Sequence, residues 1–326
     1  MKFLIIGGGS IGKRHTKNLQ SLGYSEIYCF KRKKDNNFEK EFGVQTITSV
    51  DELGELKVDV VFVCTPTSLH ADGIEIARKL DAAIFMEKPL THRREDLEKI
   101  KKNLENYDNV FFIGYMLRYH PLVIRIKSII DSNILGKVYS ARLEFGSYLP
   151  FWHPWEDYKT GYAAVKKLGG GVINTITHEL DLIQYFFGTP DSVICSKKNF
   201  NKLNIEVEEI AETIFEYDDK IVSLHLDYLQ KEYDRNIMIL CEEGKITWNW
   251  HDNKVVVKKA KEDPVEYSTS EDFDVNHLYI DELKDFIAII QSPKQDHPLN
   301  LDHAMSNTHL LLHMHESALS GLKISA

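Results

Sequence analysis

Chemistry in this chain is signalled first by Gly7-Gly8-Gly9-Ser10-Ile11-Gly12, a G-x-G-x-x-G run between a short apolar stretch and an amphipathic one. In that setting each glycine has a task. Gly7 permits a tight turn, Gly9 lets backbone approach a pyrophosphate, and Gly12 allows a helix to pack closely on a strand. The helix start at Ser10 and Ile11 adds N–H groups without intrahelical partners and a positive dipole end. The expected ligand is a nicotinamide dinucleotide. Roughly 20 residues after the glycines, an acid would hold a ribose 2′-hydroxyl. Here that place reads Phe30-Lys31-Arg32-Lys33-Lys34. Cations stand where the acid would be, which favours NADP over NAD. Arg32 is the planar, bidentate partner of a 2′-phosphate, with Lys31 beside it.

Two further clusters end apolar runs: Thr65-Pro66-Thr67-Ser68-Leu69-His70 and Met86-Glu87-Lys88-Pro89. Ligands bind beyond the carboxyl ends of parallel strands, so Thr65, Pro66, His70, Glu87 and Lys88 are expected at the cofactor. Downstream come Gly114-Tyr115-Met116-Leu117-Arg118-Tyr119-His120-Pro121 and the run from Gly169-Gly170-Gly171 through His178 to Asp181. In this order and spacing the set resembles the glucose–fructose oxidoreductase / inositol dehydrogenase (Gfo/Idh/MocA) family over nearly the whole chain. The resemblance implies an α/β protein: an N-terminal Rossmann domain with a doubly wound parallel sheet, then a C-terminal α+β domain with a large, open, mainly antiparallel sheet. It also implies NAD(P)-dependent oxidation or reduction at a carbon of a sugar, cyclitol or related polyol.

By position, Lys88 matches the family's catalytic lysine and His178 its active-site histidine. Oxidising a secondary alcohol needs a base to take the hydroxyl proton as hydride leaves, with a pKa near the working pH. A lysine in a partly desolvated cleft beside a positive nicotinamide would have its pKa lowered toward that range. Imidazole titrates near neutrality and suits His178 to share the proton or hold the hydroxyl. Lys88 also counts as a cofactor and substrate contact. One departure stands out. Many members carry an Asp about one helical turn before this histidine, whereas four residues back is Asn174 and three back is Thr175. Without a carboxylate, Asn174 becomes a substrate hydrogen-bonding group, and Asp181 either helps to orient the site or is plainly structural.

Arg118, His120 and the Lys166-Lys167 pair either hold an anionic substituent or are surface or domain-packing charges, and Tyr119 is a further substrate contact. In Tyr148-Leu149-Pro150-Phe151-Trp152-His153-Pro154-Trp155, Trp152 and His153 suit stacking on a sugar ring and reaching its hydroxyls, or the segment is an oligomer contact. His303, His309, His313 and His315 enrich the last helix, but no acidic or cysteine partner completes a site, so no metal is expected.

The elements that must position these residues alternate in the first third. Strands are expected at 2–6, 26–30, 58–64, 83–86 and 110–115, with helices at 11–22, 39–42, 69–80 and 94–104, the pattern of parallel β-α-β units. After Arg118 the pattern changes to a helix at 122–130, strands at 138–147, 192–196, 210–217, 221–229, 236–241, 245–250 and 255–258, a helix at 174–187, and closing helices at 276–291 and 301–321. That predicts two domains, 1–118 for the dinucleotide and 119–326 for substrate and oligomerisation.

The 326 residues are 43% hydrophobic with net charge −9, which argues against nucleic-acid or anionic-membrane binding. No apolar run reaches the ~18 residues of a membrane span. Four cysteines without a C-x-x-C pair read as reduced thiols in the cytoplasm. The expected function is hydride transfer between NADP or NAD and a sugar, with a nucleotide-linked or acidic sugar of carbohydrate biosynthesis as the finer reading. The expected assembly is a homodimer or homotetramer. Two alternatives stand: a non-catalytic dinucleotide-binding regulator or scaffold on the same fold, and an enzyme whose tightly held cofactor oxidises and then re-reduces the substrate.

Overall fold

Apolar runs that alternate with amphipathic ones build the first unit, Met1–Met116 with Val275–Thr308, in a computed structural model that describes residues 1–292 and 296–326. Its elements are β1 (Phe3–Ile6), α1 (Ser10–Ser21), β2 (Ile27–Phe30), α2 (Asn36–Phe42), β3 (Gln45–Ile47), α3 (Val50–Leu56), β4 (Val60–Val63), α4 (His70–Lys79), β5 (Ala83–Glu87), α5 (Arg94–Asn103) and β6 (Phe111–Gly114). The strands form a six-stranded parallel sheet in the order β3-β2-β1-β4-β5-β6. Strands β1, β4 and β5 are buried on both faces, which is why they read as unbroken apolar runs. β3 and α3 were not expected from the sequence; elements this short carry too little periodicity to declare themselves.

Register places Phe62, Phe85 and Phe112 side by side on β4, β5 and β6. Their rings stack at 4.7 and 5.4 Å between neighbours. Phe286 of the later helix α9 (Asn276–Gln291) sets its ring 5.3 Å from Phe85 and 5.4 Å from Phe112. The Leu299 carbonyl also accepts from the Ile113 N–H on β6 at 2.9 Å. These contacts assign Val275–Thr308 to the first unit and correct the expected division, in which everything after residue 118 formed one domain.

The second unit is Leu117–Asp274 with His309–Ala326. It holds α6 (Pro121–Asp131), β7 (Val138–Gly146), α7 (Val172–Thr175), α8 (His178–Phe187), β8 (Ser192–Lys198), β9 (Ile210–Glu216), β10 (Ile221–Asp227), β11 (Asp234–Cys241), β12 (Gly244–Asn249), β13 (Lys254–Lys259), β14 (Val265–Ser268), the later part of α10 (Leu301–Ser320), and β15 (Ile324–Ser325). The strands make a nine-stranded sheet in the order β14-β13-β12-β11-β7-β10-β9-β8-β15. Every pairing is antiparallel except β7 with β10, so the sheet is mixed but mainly antiparallel. Burial alternates along β7 and β11, the mark of a sheet with one covered face. The single helix expected at 174–187 is two: Ile176, at φ −100° and ψ 72°, leaves the helical region and ends α7.

Candidate active site

Buried β1 runs straight into Gly7, whose φ is +102°. A Cβ there would lie 2.7 Å from the Cys64 carbonyl oxygen, and one on Gly12 would lie 2.0 Å from the Gly7 oxygen. Both positions therefore require glycine. Around Gly9, by contrast, a Cβ would meet nothing within 4 Å, so this side of the turn is open. No side chain caps the start of α1 and no acid stands in its first turn, while Ser10 is exposed and Ile11 half-buried there. An open turn beside an uncapped, positive helix end fits a dinucleotide pyrophosphate.

At the end of β2 the two cations part ways. The Lys31 ammonium pairs with Asp35 and lies 5.2 Å from the centre of the Phe38 ring. The Asp35 carboxylate also accepts from the Asn37 and Phe38 N–H groups at the start of α2. The Lys31 hydrogen bond and then the Phe38 N–H hold the Asp35 carboxyl below the usual range. Lys31, expected beside Arg32 at the cofactor, thus has an acidic partner four residues on. Arg32 is exposed.

The loops after β4 and β5 are pinned from beneath. Lys88 is half-buried and precedes a cis peptide to Pro89. The buried Glu87 carboxylate before it sits 2.7 Å from Nε2 of His15, a wholly buried residue of α1. Burial pushes the Glu87 carboxyl up, but the His15 bond and the charges of His15 and Lys88 outweigh it, and its pKa lies below the ordinary value. On the other side, His70 is 1% exposed, with Nδ1 2.8 Å from the Pro89 carbonyl and Nε2 2.9 Å from the Thr65 carbonyl. Burial pushes its pKa down. Glu87 and His70, expected at the cofactor, act as struts within the protein. They hold half-buried Thr65, Pro66 and Lys88 at the carboxyl edge of the sheet, where β4 and β5 are neighbours.

In the second unit His178 opens α8 and is half-buried. Asn174, four residues earlier, is 5% exposed. Its Nδ2 donates to the Gly170 carbonyl at 3.0 Å, and its Oδ1 faces His315 Nε2 at 2.7 Å. Asn174, expected as a substrate hydrogen-bonding group, thus has two protein partners. Arg118, also expected at the substrate, is paired as well. Its Nε and an Nη each donate to Asp181 at 2.8 Å, a two-pronged pair whose side chains are 8% and 1% exposed. Tyr185 lies 4.6 Å beneath the guanidinium. Asp181 therefore fixes Arg118 to α8. Half-buried Trp152 spends its indole N–H on Ser147 Oγ at 2.8 Å and sets its ring edge-on to Tyr228. His153 and Tyr119 are half-buried, and His153 packs beside exposed Trp155.

The sequence did not single out His15 or Asp35, and marked His315 only as one of the histidines of the last helix. Asp35 carried a signal, an N-cap residue before an amphipathic stretch. The others meet their partners only through the tertiary fold. Among the described residues no cluster of three or more His, Cys, Asp or Glu is disposed to hold a metal ion, and no helix is long and apolar enough to cross a membrane.

Two family descriptions match the chain: "Oxidoreductase family, NAD-binding Rossmann fold" over residues 1–115, and "GFO/IDH/MocA C-terminal domain" over residues 123–247. Myo-inositol 2-dehydrogenase of Thermotoga maritima is 24% identical over 193 residues, 58% of this chain and 55% of its own length. The 2,7-anhydro-N-acetylneuraminate hydratase of Escherichia coli is 24% identical over 192 residues, 58% of this chain and 50% of its own. The matched segment thus spans about half the length of these relatives. In three dimensions, a levoglucosan dehydrogenase in complex with NADH and levoglucosan superposes with a TM-score of 0.88 at 17% identity, covering 100% of this chain and 99% of that one. At that identity the likeness speaks for the fold.

Proposed function

Because the chain belongs to the Gfo/Idh/MocA family of oxidoreductases, we propose that it is an NAD(P)-dependent dehydrogenase or reductase acting on a sugar or polyol carbon. The observation that carries this reading is the carboxyl edge of the parallel sheet. There an open glycine turn ends β1, and the loop bearing Lys88 ends β5, with both neighbours of the lysine held by buried histidines. The cofactor, when bound, supplies the hydride acceptor or donor. Gly7, Gly9 and Gly12 with the α1 start at Ser10 and Ile11 hold its pyrophosphate, and Thr65 and Pro66 line its path along the sheet edge. Lys88 takes the hydroxyl proton in oxidation and returns it in reduction. The fixed Glu87–Lys88–Pro89 backbone limits where its ammonium can reach, so less ordering remains to be done at the moment of reaction. His178 holds the substrate hydroxyl or shares its proton. Tyr119, Trp152 and His153 supply further substrate contacts.

The finer cofactor reading is NADP, through exposed Arg32 at a place without an acid. Lys31, paired with Asp35, is the second cation of this reading. The finer substrate reading is an acidic or nucleotide-linked sugar, supported by the exposed Lys166-Lys167 pair. Assembly as a homodimer or homotetramer is supported by the open sheet face. There Ile214, Ile221 and Leu240 stand 43%, 53% and 46% exposed. A second catalytic reading, oxidation followed by re-reduction on a retained cofactor, is favoured by the hydratase among the relatives.

The test incubates the purified protein with NAD or NADP and a panel of cyclitols, aldoses, sialic-acid-like sugars and sugar nucleotides, following absorbance of the reduced cofactor. Turnover with a sugar is expected, with NADP favoured and the preference lost in Arg32→Ala. Cofactor that copurifies, with product at the substrate's oxidation level, selects the second catalytic reading. Cofactor binding without conversion of any sugar overturns the enzyme reading and leaves the regulator.

A further inference from the structure

Asn174 lies four residues before His178, and the side chains around it say what an amide does there. Four groups line up inside the second unit. The Lys197 ammonium on β8 is 2.8 Å from Nδ1 of His315 on α10. His315 Nε2 is 2.7 Å from Asn174 Oδ1, and Asn174 Nδ2 is 3.0 Å from the Gly170 carbonyl oxygen. The two ends of this row fix every proton in it. An ammonium can only donate, so His315 Nδ1 accepts. The imidazole is then neutral, with its proton on Nε2, and donates to Asn174 Oδ1. A carbonyl can only accept, so Asn174 presents its NH₂ to Gly170. Glu208 completes the cluster. One carboxylate oxygen lies 3.6 Å from Lys197 Nζ, and the other accepts from the Ile173 N–H at 3.4 Å, at the start of α7. A Cβ on Gly171, at φ +118°, would lie 2.4 Å from that same Glu208 oxygen.

We infer that Lys197, His315 and Asn174 form a one-way hydrogen-bond chain that sets α7 and thereby positions His178. Lys197 and His315 are positioning residues. They act through Asn174 and the Gly170 backbone and touch neither substrate nor cofactor. An aspartate at 174 could accept from His315 but could not donate to Gly170, so this cluster requires the amide. The positive charge of Lys197 is balanced by Glu208, so the row moves no net charge toward His178. The importance of the chain for turnover rests on the reading of His178 given above, but its existence does not.

The experiment therefore reads both. In protein labelled with ¹⁵N-histidine, at pH 7 and with NADP bound, His315 is expected as the neutral Nε2–H tautomer. In Lys197→Met it is expected as a tautomer mixture. On the sugar that the panel identifies, Lys197→Met and His315→Leu are expected to lower kcat/KM by on the order of 10- to 100-fold, the scale of an ångström misplacement. The cofactor Kd should remain unchanged. His315→Gln, whose side-chain NH₂ can still donate to Asn174, should recover most of the loss. A His315 that is cationic or carries its proton on Nδ1 overturns the chain, whatever the activity. An intact tautomer with full activity in His315→Leu overturns its positioning role. Absence of turnover in the wild type counts against the function reading alone, because the tautomer is read without substrate.

Discussion

Breaking the Arg118–Asp181 pair separates a structural role for this arginine from a substrate-binding one. Asp181→Asn leaves the guanidinium in place, with its side chain 8% exposed, facing an amide in place of a carboxylate. Removing one partner of a buried ion pair costs about 3–5 kcal/mol, because the remaining charge is neither solvated nor matched. The face of Tyr185, 4.6 Å from the guanidinium, is present in both proteins and cancels from the difference. The expectation is a loss of about 3–5 kcal/mol. For a unit of this size each kcal/mol moves the melting temperature by roughly 2–4 °C, so a fall of at least about 6 °C should appear in calorimetry. Replacing both partners with apolar residues, Arg118→Met with Asp181→Leu, should recover most of the loss, since no buried charge remains. The sugar KM should change little in any variant that is folded at the assay temperature. An unchanged melting temperature for Asp181→Asn together with a KM raised ten-fold or more would refute the reasoning and return Arg118 to the substrate.

Two pH dependences follow, one from buried His120 and one from half-buried His225. His120 accepts from the Leu122 N–H at 3.1 Å through Nδ1 and sits among Trp248, Trp250 and Phe273, and burial, helped by Arg235, pushes its pKa down to about 4. The unfolded chain, with pKa near 6.5, takes the proton first. Stability from the neutral ring is therefore full above pH 6.5 and is lost as pH falls toward 4. Urea titrations should show wild type losing about 2–3 kcal/mol more than His120→Asn between pH 7 and 4.5, and parallel curves would contradict this. His225 is the opposite case: the Asp227 hydrogen bond, working against burial and aided by Glu212, raises its pKa to about 9. Its contribution is full below pH 6.5 and is lost as pH rises through 9, so melting temperatures of wild type and His225→Gln should converge over that window.

Much of this architecture was legible in the residues, for reasons that differ by element. β1, β4 and β5 are buried on both faces and so wrote unbroken apolar runs, and the steric demands at Gly7 and Gly12 wrote the glycine motif. The division of the chain was less legible. Nothing local in Asn276–Gln291 announces that Phe286 packs on Phe85 and Phe112, since that contact joins segments about 200 residues apart. Side-chain roles were the hardest to read. Arg118, Lys31, Asn174, Glu87 and His70 all have chemistry suited to a ligand, yet each is paired inside the protein. Their partners Asp181, Asp35, His315, His15 and the Thr65 and Pro89 carbonyls are brought to them by the fold. Residue type revealed a capacity for polar contact, and only the tertiary structure revealed which capacities were already used.

The central claim is that Lys88 moves the substrate proton in a nicotinamide-dependent reaction, and Lys88→Met tests it most directly. Methionine keeps the bulk of the stem and removes the ammonium, while His15, Glu87, His70 and Pro89 still hold the loop. The measurement is kcat on the identified sugar across pH 6–9, alongside the Kd of the reduced cofactor by fluorescence. Cofactor binding is expected to stay close to that of the wild type, with turnover lowered by about 10²–10⁴-fold at every pH. Near-normal turnover in Lys88→Met with cofactor still bound would contradict it and take the lysine out of the chemistry.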